Sequence, residues 1–287
     1  MGQTIACANQ KGGVGKTTSV VSLASYLAIA GDRVLVIDLD PQGNATSGFG
    51  LDRSLLDRSV YDAVIDDLAL ERLVVAGPLG VDLIPSSIAL AGAEVELAPI
   101  EARERRLARL IADIAARYDH LFIDCPPSLG LLTVNALTAA DSVLIPLQCE
   151  YYALEGLTQL LATIDLVRDH LNPSLAIDGV LLTMYDGRTN LSAEVAAEVR
   201  RHLGPLVYET VIPRSVRLSE APSHGQPIAT YRPDSPGAVA YRQAADEFRA
   251  RSAARASRPA VPVMAPLADT GTLGEPPSVT REPAVVA

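Results

Sequence analysis

Lys11-Gly12-Gly13-Val14-Gly15-Lys16-Thr17-Thr18 decides how this chain is read, because it contains both of the protein's lysines. Every other member of the 24 lysines and arginines is an arginine. A compact ammonium on a flexible stem serves where a phosphate must be met by a point charge, and a planar guanidinium does not fill the same role. Ahead of the stretch, Gln3-Thr4-Ile5-Ala6-Cys7-Ala8 is short and mostly apolar, the pattern of a buried strand. Behind it, Val20, Val21, Leu23, Ala24, Leu27 and Ala28 recur near helical spacing from Lys16 to Ala30, and Gly31 stops the helix. Glycines between a strand and a helix turn consecutive backbone N–H groups into the loop. The helix N-terminus adds partial positive charge, so a polyphosphate fits there. In this reading Gly12, Gly13, Val14, Gly15 and Thr18 wrap the phosphates, Lys16 meets the β- and γ-phosphates, and the Thr17 hydroxyl ligates Mg²⁺. The usual phosphate-loop template has a glycine at the place held by Gln10, so this is a variant form, and its extra lysine is Lys11.

Working outward, strand-like runs recur at Arg33–Asp38, Val81–Ile84, His120–Asp124, Ser142–Leu147, Ile177–Met184 and Val207–Ile212. Helical patterns separate several of them, at Glu101–Arg117, Leu131–Ala139, Ala153–Leu171 and Leu191–Leu203. Continuous Val/Leu/Ile strands alternating with helices predict an α/β fold, a mainly parallel twisted sheet with helices on both faces. Ligands of such sheets sit at the carboxyl ends of the strands. The phosphate loop, Asp40, Asp124 and the segment after Met184 all follow such ends, so they converge on one nucleotide. Asp38 and Asp40 lie two apart after Val34-Leu35-Val36-Ile37, which puts both carboxylates on one side of an extended chain. Asp124 ends the run Leu121-Phe122-Ile123, where a carboxylate is costly unless a cation or donors satisfy it.

Length and composition bound the rest. The 287 residues, 48% hydrophobic and 20% charged, suit one large soluble domain, placed at residues 1–252. Residues 253–287 form a Pro/Ala-rich tail without aromatic residues, expected to be disordered. No apolar run is long enough to span a bilayer and no leader pattern opens the chain, so the expected location is cytoplasmic, with no membrane partner. Cys7, Cys125 and Cys149 lack metal-ligand spacing and read as core residues. A net charge of −10 excludes a generally basic coat for nucleic acid, so any DNA contact has to come from a local arginine patch.

Lys-Gly-Gly-Val-Gly-Lys-Thr-Thr resembles the deviant Walker A motif of the ParA/MinD class of P-loop ATPases. Asp38-Leu39-Asp40-Pro41-Gln42-Gly43-Asn44, Phe122-Ile123-Asp124-Cys125-Pro126-Pro127-Ser128 and Val216-Arg217-Leu218-Ser219-Glu220-Ala221-Pro222-Ser223 sharpen the likeness to the ParA/Soj partitioning branch. The resemblance runs from about Gly2 to about Arg249. It implies an ATPase using ATP and Mg²⁺, with Lys11, Lys16 and Asp40 as catalytic groups. Asp40 would activate the attacking water, and Asp38 and Asp124 would join Thr17 around the metal. Lys11 would reach the partner subunit's nucleotide across an ATP-dependent homodimer, with Gly12 at that contact. Met184, Pro213 and Ser215 would lie near adenine, and Arg188 and Arg217 would hold non-specific double-stranded DNA. The same likeness implies a ParB-type centromere-binding partner and a nucleoid-associated location. A MinD-like membrane-associated ATPase is the alternative, disfavoured by the prolines of the tail.

Overall fold

A computed structural model describes residues 2–150 and 153–256. Seven strands, β1 (Gln3–Cys7), β2 (Val34–Asp38), β3 (Val75–Ala76), β4 (Val81–Ile84), β5 (His120–Asp124), β6 (Ser142–Gln148) and β7 (Ala176–Thr183), form one sheet in the order β3-β4-β2-β5-β1-β6-β7. All neighbours are parallel except β3 and β4, so the α/β class is as the alternation predicts. The helices are α1 (Lys16–Ile29), α2 (Asn44–Gly48), α3 (Val60–Asp66), α4 (Ala93–Leu97), α5 (Arg106–Ala112) and α6 (Leu131–Ala139). They continue with α7 (Ala153–His170), α8 (Asn190–Leu203), α9 (Val216–Glu220), α10 (Ile228–Tyr231) and α11 (Pro236–Ala256).

Side-chain alternation along the strands divides the core into two layers. Ile5 and Cys7 of β1, Val34 and Val36 of β2 and Phe122 of β5 pack with α1 and α11. Ala6, Leu35, Ile37, Leu121 and Ile123 face the opposite layer, built from α3 to α8. Both faces of the central strands are therefore dry, which is why they read as continuous apolar runs. On α11, Tyr241, Ala244, Ala245 and Phe248 recur at helical spacing and are all buried. The Tyr241 hydroxyl meets Ser19 Oγ at 3.0 Å, and the Phe248 ring lies 5.5 Å from Phe122 and 5.2 Å from His120.

Two expectations need correction. The Glu101–Arg117 pattern is a broken helix, with 3₁₀ turns at Arg103–Arg105 and Ala115–Arg117 on either side of α5. Val207–Ile212 does not form a strand, although Tyr208 N donates to Val180 O and Ile212 N to Leu182 O beside β7. Between those two bonds the Glu247 carboxylate of α11 takes the amides of Glu209 and Thr210 at 2.9 Å each, so the ladder cannot propagate. The last helix runs through Ala256, four residues beyond the boundary read at residue 252. The rest of the tail lies outside the described residues.

Phe248 joins α11 to the sheet, so Phe248→Ala should lower unfolding free energy by about 3–5 kcal/mol through lost burial and a cavity. Urea denaturation followed by circular dichroism measures it, and a change below about 1 kcal/mol would mean the layer collapses around the gap.

Candidate active site

Three neighbouring strands end on one row, Cys7 opposite Asp124 in β1–β5 and Asp38 opposite Asp124 in β2–β5. That register sets the site. The loop leaving β1 is turned by Gly13 at φ 73° and by Gly15 at φ 91°, where Gly15 is the residue preceding α1. Both lie in left-handed backbone that a side chain would strain. Asn9, which the sequence reading did not single out, fixes the start of this loop. Its amide donates to Pro146 O at 2.8 Å and its carbonyl oxygen accepts the Lys11 N–H at 3.0 Å. Thr183 at the end of β7 fixes the far side by donating to Val14 O at 2.8 Å.

The two lysines hold different positions. Lys16 is only 6% exposed, and its ammonium donates to the Lys11 carbonyl at 3.1 Å. Lys11 stands at the rim with its side chain 39% exposed and pairs with Glu150 Oε2 at 3.0 Å. Glu150 also lies 3.6 Å from the Arg214 guanidinium. The phosphate cleft is lined by Gly12, Gly13, Gly15, Lys16, Thr17, Thr18, Asp40, Gln42, Asn44, Pro127 and Met184. A second cleft adjoins it, lined by Gly15, Thr18, Thr183, Met184, Ile212, Pro213, Arg214, Ser215, Leu218 and Tyr241 among others. Met184, Pro213 and Ser215 thus share one pocket. Met184 lines both clefts with φ 50°, a left-handed conformation that is strained for a long side chain and recurs at ligand sites.

Asp38, Asp40 and Asp124 sit close enough to repel one another. Burial pushes the Asp38 carboxyl up to about 6, against the lowering hydrogen bonds from Thr46 and the Asp40 amide. Asp124 is raised well above the usual range by burial first and by Asp38 next, while Thr17 and Lys16 pull it down. Both Asp124 oxygens are buried without a hydrogen-bond partner of good geometry. Two orphaned anionic oxygens beside the Thr17 hydroxyl fit a hard divalent cation that completes its shell with water and phosphate oxygens. Among the described residues no three His, Cys, Asp or Glu side chains gather into a protein-only metal cage.

Asp38, expected at the metal, is engaged by donors of the turn that follows β2. Its Oδ2 accepts from Thr46 N at 2.7 Å and Thr46 Oγ1 at 2.6 Å, and its Oδ1 lies 3.3 Å from the Asp40 amide. It organises the turn into α2. The cysteines are buried and free, and burial pushes each thiol up. Arg188 is 87% exposed and held bidentately by Asp186, and Arg217 pairs with Glu220 at 2.6 Å. Both DNA candidates are on the surface, each already neutralised by a carboxylate.

A family profile described as an AAA domain matches residues 2–177. The sporulation initiation inhibitor protein Soj of Bacillus subtilis is 57% identical over 251 residues, covering 87% of this chain and 99% of that protein. The chain belongs to the Soj/ParA family of chromosome-partitioning ATPases. The chromosome partitioning protein ParA of Myxococcus xanthus is 49% identical, with 90% of this chain and 92% of that one covered. Cobyrinic acid a,c-diamide synthase of Mycobacterium smegmatis, solved with a bound ATP analogue and magnesium, is 41% identical with a TM-score of 0.76. That match covers 86% of this chain and 93% of the other.

Asp124→Asn should replace a buried carboxyl, unpartnered among the described residues, with a neutral amide. The protein in EDTA should gain about 1–3 kcal/mol of stability, while stabilisation by Mg²⁺ with nucleotide is lost. Thermal melts with and without Mg²⁺ read both effects. Unchanged metal-dependent stabilisation would remove Asp124 from the metal shell.

Proposed function

We propose that the chain is a partitioning ATPase that binds ATP with Mg²⁺, closes into a homodimer around two nucleotides, holds DNA without sequence preference and is reset by hydrolysis. The observation that supports this most strongly is the combination of a buried loop lysine, Lys16, with a rim lysine, Lys11, whose ammonium is held among the described residues by the Glu150 carboxylate. Lys16 serves the nucleotide of its own subunit. Lys11 is free to leave Glu150 for the phosphates of a partner, a cation that arrives only when two subunits meet. ATP then becomes part of the interface. Thr17 and Asp124 would hold Mg²⁺, whose chemistry is to neutralise charge on the β- and γ-phosphates. Asp40 orients the attacking water, since phosphoryl transfer asks the protein mainly for positioning and charge stabilisation. Adenine would lie over Met184, Pro213 and Ser215.

A ParB-type centromere-binding protein would stimulate hydrolysis and return the dimer to monomers, so that the ATP form gathers on the nucleoid and the ADP form leaves it. No helix among the described residues is long and apolar enough to cross a membrane.

Asp40→Ala should bind ATP and accumulate as a stable dimer on DNA, whereas Lys11→Ala and Gly12→Val should bind ATP within roughly tenfold of wild type, about 1.4 kcal/mol, and stay monomeric. Gel filtration and nucleotide titration distinguish these outcomes. A Lys11→Ala dimer that forms normally would confine Lys11 to its own subunit.

For DNA, Arg188 and Arg217 give four phosphate contacts per dimer, so the log-affinity against log-salt slope should be about −3.6 at roughly −0.9 per phosphate. Changing either arginine to Ala should bring it to about −1.8, equally on unrelated sequences. Because each arginine is already paired, Asp186→Asn should strengthen DNA binding by freeing Arg188. Lower affinity at an unaltered slope would mean these arginines organise the surface without touching phosphate.

A further inference from the structure

Asp40 does not sit on the end of β2 unaided. Its backbone carbonyl accepts a hydrogen bond from the Ser86 hydroxyl at 2.6 Å and another from the Gly43 amide at 2.8 Å. Ser86 lies two residues past β4, the strand paired with β2 from Val34 to Ile37, and is fully buried. Its own amide donates to Thr46 Oγ1 at 3.0 Å, and that hydroxyl donates its proton to Asp38 Oδ2. Asp38 Oδ1, 3.3 Å from the Asp40 amide, closes the ring. Every hydroxyl in this ring has its direction fixed. A carboxylate can only accept, so Thr46 must donate to Asp38 and offer a lone pair to Ser86, and Ser86 must donate to the Asp40 carbonyl. The Asp40 peptide is thereby gripped on both sides, by Asp38 at its N–H and by Ser86 at its C=O. The Asp40 side chain is steadied in turn by the Gln42 amide on Oδ1 at 2.9 Å, and Asp40 lines the phosphate cleft.

We propose that Ser86 and Thr46 are positioning residues for hydrolysis, holding the Asp40 peptide at a fixed place relative to the sheet so that its carboxylate meets the attacking water. This rests on the reading of Asp40 as the hydrolytic group. Neither residue is among those that line the phosphate cleft, so the proposal expects ATP affinity to survive their replacement. Fold stability depends on Ser86 only in part, because the Asp40 carbonyl keeps the Gly43 amide when the hydroxyl is removed. A displacement of about 1 Å in a reacting group is enough to slow a reaction about a hundredfold.

The experiment is single-turnover hydrolysis of Mg·ATP by the full-length chain, run beside ATP affinity and thermal melts, on Ser86→Ala, Thr46→Val, Thr46→Ser and Asp40→Ala. Ser86→Ala and Thr46→Val should lose roughly tenfold to a hundredfold in the hydrolysis rate, with ATP affinity unchanged within about twofold. Thr46→Ser keeps the hydroxyl and should hydrolyse within about twofold of wild type, a rescue that a packing role for the Thr46 methyl would not give. If Ser86→Ala fails to fold, the Thr46 pair decides alone. The proposal is overturned if Ser86→Ala hydrolyses at the wild-type rate while Asp40→Ala does not, or if Thr46→Ser and Thr46→Val are equally slow. If Asp40→Ala itself turns over normally, the reading of Asp40 falls and this inference with it.

Discussion

Negative charge crowded at the carboxyl edge of a parallel sheet is the constraint around which this molecule is arranged. The register that sets Asp38 and Asp124 side by side leaves the protein with carboxylates that water cannot reach. Each is resolved differently. Asp38 is satisfied by donors from α2, Asp40 by the amide of the following turn, and Asp124 only by proximity to Lys16 and Thr17. The least satisfied carboxylate is Asp124, so any cation that neutralised it would stabilise the fold as well.

The glycine loop illustrates how rigid supports make such a site specific. Its backbone is tied to β6 through Asn9 and to β7 through Thr183. Neighbouring strands therefore help to set the shape of the loop. The strained Met184 backbone immediately after Thr183 continues the same support into the neighbouring cleft.

Much of this was legible in the residues. The phosphate loop declared itself by glycine spacing and two lysines, and Asp124 by an apolar strand ending in an acid. Asn9, Thr46, Ser86, Glu150 and Thr183 were not legible. Small polar residues in loops look alike wherever they fall, and what distinguishes Glu150 is a partner 139 residues away. Arg188 and Arg217 were visible as arginines, whereas their carboxylate partners emerged only from the turn and the helix that carry them. The run Val207–Ile212 has strand-like composition, and composition carries no information about a glutamate on a distant helix.

That glutamate has a consequence for how molecules of this kind coexist. β7 is the last strand of the sheet, and an open strand edge is a template on which another chain can add itself. Here the edge is partly covered by residues 207–212, and a covering segment would ordinarily offer a fresh edge in its place. Glu247 removes that offer by holding the Glu209 and Thr210 amides, and Arg251 does the same for the carbonyls of Pro205 and Val207. Side chains of α11 thereby occupy backbone groups on which another strand would otherwise begin, which makes this edge of the sheet a poor template for a second copy.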